Sequence, residues 1–193
     1  MMNMNDAIIS AAIEYIIQLF VGNSGGHDYE HSMRVYRLAM LIAENEKCDR
    51  TVVALAALLH DVDDYKMFST YDNAHARSFM ESHGVTPKNI KKIIDAINGV
   101  SFSKNGLKKP KSIEGMIVQD ADRLDAIGAV GIARTFAFGG EHGRSIESTI
   151  KHFHKKLLLL KDGMNTETAK RIAESRNAFM EEFLSRYESE TRI

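Results

Sequence analysis

Eight consecutive apolar residues, Val52 to Leu59, run directly into His60-Asp61-Val62-Asp63-Asp64. A run of that length is far short of the roughly 20 residues needed to cross a bilayer. It is apolar on every face, the pattern of a helix at the centre of a core. Asp49 or Thr51 is placed to cap its start. The fold must therefore wrap other elements around this segment, and it must accommodate a histidine and three carboxylates where the segment ends. Carboxylates gathered at the end of a buried helix repel one another and lose hydration unless something positive compensates. A helix C-terminus is also the wrong pole for them. A metal ion is the simplest compensator.

The rest of the chain reads as helix. Only two prolines occur in 193 residues, and proline breaks helix interiors. Over residues 6–20, Ile9, Ile13, Ile16, Ile17 and Phe20 form one stripe at helical spacing. Gly22, Asn23, Ser24, Gly25 and Gly26 then form a breaker cluster. Asp28 is a natural N-cap for a second helix that carries Met33, Val35, Leu38 and Ile42. Residues 71–83 read as a weaker amphipathic helix ended by Gly84. Thr86-Pro87 is a cap followed by a first-turn proline, starting a helix to about Ile97.

Residues 101–111 are polar, and Lys104, Lys108, Lys109 and Lys111 read as a solvated basic loop able to lie beside an anionic ligand. After Pro110 an apolar-rich segment extends to Phe138. Gly139, Gly140 and Gly143 read as a loop. Ser145 caps a helix to about Leu160, and Asn165 or Thr166 caps the last, which shows Ile172, Phe179, Phe183 and Tyr187 on one face. There is no sustained period-2 pattern, repeat or linker. The expectation is an all-α helical bundle of about eight helices, with residues 1–193 as a single domain.

Charge narrows the function classes. Lys plus Arg is 25 and Asp plus Glu 26, a net charge of −1. That balance, with no basic helix and no interleaved aromatic patch, argues against nucleic acid as a partner. The N-terminal stretch lacks the basic start of a signal peptide, so neither export nor membrane association is expected. The single cysteine, Cys48, excludes an internal disulfide and fits a cytoplasmic protein.

Three sequence blocks hold the chemistry. The first is His27-Asp28-Tyr29-Glu30-His31-Ser32-Met33-Arg34, in which His31 and Arg34 share a helical face. The second is His60-Asp61 with Asp63 and Asp64. The third is Gln119-Asp120-Ala121-Asp122-Arg123-Leu124-Asp125, again three carboxylates within apolar sequence. Two imidazoles and two carboxylates drawn from these blocks would suit a hydrolytic divalent cation and leave positions for water and substrate.

In this order the blocks resemble the HD-domain superfamily of metal-dependent phosphohydrolases, in particular its small single-domain bacterial and archaeal branch. Gly26 to Val35 matches Gly-His-Asp-x-x-His-x-x-Arg-Val. Leu58-Leu59-His60-Asp61-Val62 matches the signature His-Asp, and Gln119 to Ala129 matches the branch's third block. The motifs span residues 26–143. The resemblance implies an all-α bundle and four metal ligands, His31, His60, Asp61 and Asp122. Asp122 is preferred to Asp120 because the family ligand lies in an Ala-Asp-x-Leu frame.

The same resemblance makes Asp64 the residue that orients or deprotonates water. It makes Arg34, Lys66, Arg123 and His27 substrate contacts, with Arg34 also acting in catalysis. Asp120 and Asp125 become carboxylates that orient ligands, or equally ion-pair partners of Arg123 or Arg134. Between His60-Asp61 and Asp122 the chain offers only His75 and His83, and Asn98-Gly99 stands where relatives with a second metal often place a histidine. One principal ion is therefore expected, with Mn²⁺, Mg²⁺, Ni²⁺, Co²⁺, Fe²⁺ or Zn²⁺ as options.

The resemblance further implies a small phosphorylated substrate, a nucleotide, and hydrolysis of nucleoside triphosphates to monophosphate and pyrophosphate. Nucleoside monophosphate dephosphorylation and guanosine tetraphosphate hydrolysis are alternatives in the same class. A metal-containing sensor that binds a nucleotide without turnover is the alternative of another class. The protein is expected as a monomer or homodimer.

Overall fold

The computed structural model describes residues 4–22, 28–65 and 67–192. His27, Lys66 and the 23–26 part of the breaker cluster lie outside the described residues, as does the side chain of Lys104. Among the described residues every regular element is helical. These are α1 (Met4–Leu19), α2 (Tyr29–Ala43), α3 (Arg50–Leu59), α4 (Ala74–Ser82), α5 (Pro87–Asn98), α6 (Phe102–Asn105), α7 (Ile113–Asp125), α8 (Gly128–Glu141) and α9 (Ile146–Lys155). A 3-10 segment (Leu157–Gly163) and α10 (Glu167–Thr191) follow. No helix among the described residues is long and apolar enough to cross a membrane.

The starts are set by side chains that satisfy amides with no partner inside the helix. Asp28 accepts from the His31 amide at 2.7 Å, and Asp49 accepts from Thr51 and Val52. Thr86 caps α5 with Pro87 in its first turn. Ser112, Ser145 and Thr166 cap α7, α9 and α10. Helix α3 is the centre anticipated from its composition. Val52 through Leu59 are all buried, and α1, α2, α5 and α7 pack around them. Each fully buried Val or Leu contributes about 1.5–3 kcal/mol. Helix α2 also packs along α7, which brings the first and third sequence blocks together.

Several boundaries differ from the sequence reading. Helix α3 stops at Leu59, and His60 is its C-cap. The 101–111 stretch contains the short α6. Gly139 and Gly140 lie within α8, since a helix tolerates glycine when its neighbours supply the packing. The apolar segment after Pro110 divides at Gly128, where φ is +74°. That left-handed turn swings α8 away from α7 while Ala126 closes the end of α7 through its amide.

Helix α7 is fastened on the side away from its sequence-predicted ligands. Asp120 is fully buried and accepts from the amides of Asn165 and Thr166 and from their side chains, at 2.8–3.1 Å. It therefore seats the start of α10. Arg123, expected among the substrate contacts, is instead buried. It donates Nη1 to the Gly163 carbonyl and Nη2 to that of Gly106 at 2.8 Å. Its guanidinium ties together two backbone segments.

Gly128→Ala should lower stability by about 1–2 kcal/mol, the penalty of a left-handed alanine. A Cβ there would also lie 3.0 Å from the side chain of Arg176. Chemical denaturation of the two proteins measures this, and equal midpoints would contradict the strain assigned to this turn.

Candidate metal centre and its cavity

Four side chains converge where α2, the end of α3 and α7 meet. His31, on the first turn of α2, is buried. His60 and Asp61 follow α3, and Asp122 lies on α7. The Nε2 atoms of His31 and His60 are 3.2 Å apart. Asp61 presents Oδ2 to His31 and Oδ1 to His60, each at 3.4 Å. Asp122 Oδ1 is 3.5 Å from His31 and 3.9 Å from His60.

The rings are held in one tautomer. His31 donates Nδ1–H to Asp125 at 2.8 Å, and His60 donates Nδ1–H to the Ala57 carbonyl at 2.8 Å. With both Nδ1 atoms protonated, both Nε2 lone pairs face each other and two carboxylates. Acceptors packed this closely need a positive charge between them. The spacings are those of the edges of a coordination polyhedron with bonds of about 2.1 Å. Two histidine nitrogens with carboxylate oxygens suit a borderline or hard divalent cation. His31, His60 and Asp122 each bring a donor atom within 4.8 Å of the others, and Asp61 spans the two histidines.

The electrostatics tell the same story. Burial works against charge on His31, yet the acceptor oxygens of Asp122, Asp125 and Asp61 overcome it and hold its pKa well above the ordinary histidine range. Burial would raise Asp122, but the bond to His31 and the charge of His60 lower it. The pocket is built to attract positive charge.

Asp125 is the support behind His31. It is buried and accepts from Arg34 Nε at 2.7 Å, from Arg34 Nη2 at 3.3 Å and from Arg134 Nη1. Burial opposes its ionisation, but the bonds from His31 and Arg34 and the charge of Arg134 keep it far below the usual carboxylate range. The fork of Arg34, expected on phosphate, is thus placed on Asp125, and Arg34 is absent from the cavity lining.

The cluster opens into a cavity of about 370 Å³. Asp61, Asp63, Asp64 and Asp122 line it. Asp64 reaches it from a turn after α3, its amide bonded to the Asp61 carbonyl at 3.0 Å. Asp63 also accepts from the amides of His75 and Ala76, capping α4. His75 gives Nδ1–H to the Val62 carbonyl, and His83 gives its own to Phe79. Asn98 lines the cavity and accepts from Asn73 at 3.1 Å. Lys108, Lys109 and Lys111 are exposed and do not line it.

The basic residues that do line the cavity are Arg134, Arg144, His152 and Lys156. In the sequence each of the last three resembles an ordinary charge near a helix end. The i, i+4 spacing of His152 and Lys156, across the end of α9, is the available signal.

Residues 28–127 match the HD domain family model. The YpgQ protein of Bacillus subtilis (strain 168) is 43% identical over 91% of this chain and 90% of its own length. Its crystal structure in complex with ADP superposes with a TM-score of 0.82, covering 94% of this chain and 97% of that one at 36% identity. An HD-superfamily hydrolase from Bacillus thuringiensis matches equally well, with a TM-score of 0.82, 36% identity and 97% and 98% coverage.

Two carboxylates five residues apart on α7 should respond differently. Asp125→Asn, which alters the support of His31, should weaken retention of Mn²⁺ by about 10–100-fold. Asp120→Asn should keep wild-type metal content and lower the melting temperature, because it disturbs the start of α10. Elemental analysis after dialysis, with melting curves, reads both. Metal loss in Asp120→Asn alone would overturn the assignment.

Proposed function

Because this chain belongs to the HD-domain family, we propose that it is a divalent-metal-dependent phosphohydrolase that cuts nucleoside triphosphates into monophosphate and pyrophosphate. The observation that carries this reading is the convergence of His31, His60, Asp61 and Asp122 at the floor of a cavity that Asp64 also enters. The cavity volume falls within the ordinary range for small-molecule sites. That the B. subtilis relative forms a complex with ADP supports a nucleotide as the ligand.

His31, His60, Asp61 and Asp122 would hold a divalent cation, Mn²⁺ or Mg²⁺ foremost with Ni²⁺, Co²⁺, Fe²⁺ and Zn²⁺ as competitors, which when bound would acidify a water and polarise a phosphoryl oxygen. The protein's own residues do the rest. Asp64 lines the cavity as a carboxylate outside the four-donor cluster and takes the proton from the attacking water. His31 is fixed by Asp125, and His60 by the Ala57 carbonyl, so neither donor must reorganise during turnover. Arg34 acts through Asp125, holding its charge and orientation with bonds to both carboxylate oxygens. Arg134 also bonds Asp125, and its side chain borders the cavity.

A panel of nucleoside mono-, di- and triphosphates with Mn²⁺ tests the reaction. Pyrophosphate release from triphosphates is expected. Orthophosphate release from monophosphates would replace this reading with a phosphatase, and absence of any turnover would replace it with a sensor. Asp64→Asn should lower kcat by about 10²–10⁴-fold with KM little changed and metal retained. Near-normal kcat would remove Asp64 from the mechanism.

A further inference from the structure

The cavity has two walls of opposite charge. Asp61, Asp63, Asp64 and Asp122 come from the turn after α3 and from α7, whereas Arg144 comes from the loop before α9, His152 from α9 and Lys156 from the cap that ends it. The second wall is held in place by aromatic rings. The Arg144 guanidinium lies 5.6 Å from the Phe138 ring centroid. The Lys156 ammonium lies 4.9 Å from that of Phe102. Phe138 and Phe102 also line the cavity, so each cation is seated on a ring that belongs to the same pocket. His152 and Lys156 are joined by the bond from the Lys156 amide to the His152 carbonyl at 3.0 Å, and both side chains line the cavity.

Such a cavity complements a ligand with a particular distribution of charge. A lone phosphate is already neutralised by a cation at the acidic wall and has nothing left to offer the basic one. An anion with several phosphoryl groups in a row satisfies both walls, one group at the cation and the next at the guanidinium and ammonium. We propose that Arg144, His152 and Lys156 form the seat for the distal phosphates of a polyphosphate, so that this wall selects substrates by the length of their phosphate tail. The inference rests on the phosphohydrolase reading above and adds the residues that define its substrate class. His152 contributes as a neutral donor: burial, then Lys156 and Arg144, push its pKa below the ordinary histidine range.

The test uses the full chain at buffered free Mn²⁺, with inorganic tripolyphosphate and orthophosphate as probes in isothermal titration calorimetry. Tripolyphosphate should bind the wild-type protein at least about tenfold more tightly than orthophosphate. Arg144→Gln and Lys156→Gln should each weaken tripolyphosphate by about 10–100-fold, the loss of one charge-assisted hydrogen bond, and leave orthophosphate unchanged. Lys108→Gln, on the exposed basic loop, should alter neither. Arg144 is exposed, so its variant is expected to keep the wild-type melting temperature. Wild-type tripolyphosphate affinity in both cavity variants overturns the proposal, as does equal loss of the two probes. The hydrolytic reading stands or falls separately. Loss of tripolyphosphate affinity in a protein that turns over no nucleotide would leave the seat in place and remove the reaction. Pyrophosphate release with unchanged KM in Arg144→Gln would keep the reaction and remove the seat.

Discussion

The bond from His31 to Asp125 is the contact on which the site depends. It joins α2 to α7 across 94 residues of chain, fixes which ring nitrogen of His31 faces the cluster, and does so with almost no solvent nearby. A carboxylate in that position would resist ionisation if it stood alone. Arg34 from the same helix as His31 and Arg134 from α8 supply the compensating charge. Three helices thus share one buried ionic centre. Oδ2 of the Asp125 carboxylate accepts from His31, Arg34 and Arg134 together, while Oδ1 accepts from Arg34 Nε.

The cluster beside it has the reverse bias. His60 and Asp61 sit at the carbonyl end of α3, where the backbone already disfavours negative charge. Asp122 and the nearby Asp63 and Asp64 add to that burden. Left to themselves these groups would oppose folding of the region. The histidine tautomers, fixed by Asp125 and the Ala57 carbonyl, turn the same arrangement into a set of convergent donors. Repulsion that would destabilise an ordinary helix end becomes affinity for a cation.

Much of this was legible in the sequence, for physical reasons. Val52–Leu59 could only be central, and the caps at Asp28, Thr86 and Ser145 announced their helices because few other residues satisfy bare amides so well. The grouping of His31, His60, Asp61 and Asp122 was implied by the resemblance of the three motif blocks to the HD-domain superfamily. What could not be read were the partners chosen across space. Arg34 looked like a phosphate contact, yet Asp125 occupies its fork. Arg123 reads as a substrate contact, yet it lies buried against the Gly106 and Gly163 carbonyls. The lysine-rich 104–111 stretch drew attention by composition, whereas the cations at the cavity are scattered over Arg134, Arg144 and Lys156. Gly139 and Gly140 were read as a break because local propensity says nothing about the packing that keeps α8 continuous.

The two walls of the cavity are unequal in how they are anchored. The donors of the acidic wall grow from α2, α3 and α7, which pack on one another around the apolar centre. Helix α9, bearing His152, packs on α8 and the 3-10 segment at the periphery. A change in length or composition near residues 144–156 can therefore reshape what the cavity accepts while the histidines keep their positions. The architecture separates a conservative half, in which almost any substitution is punished by the core, from a permissive half in which new ligand preferences can arise by a few surface changes.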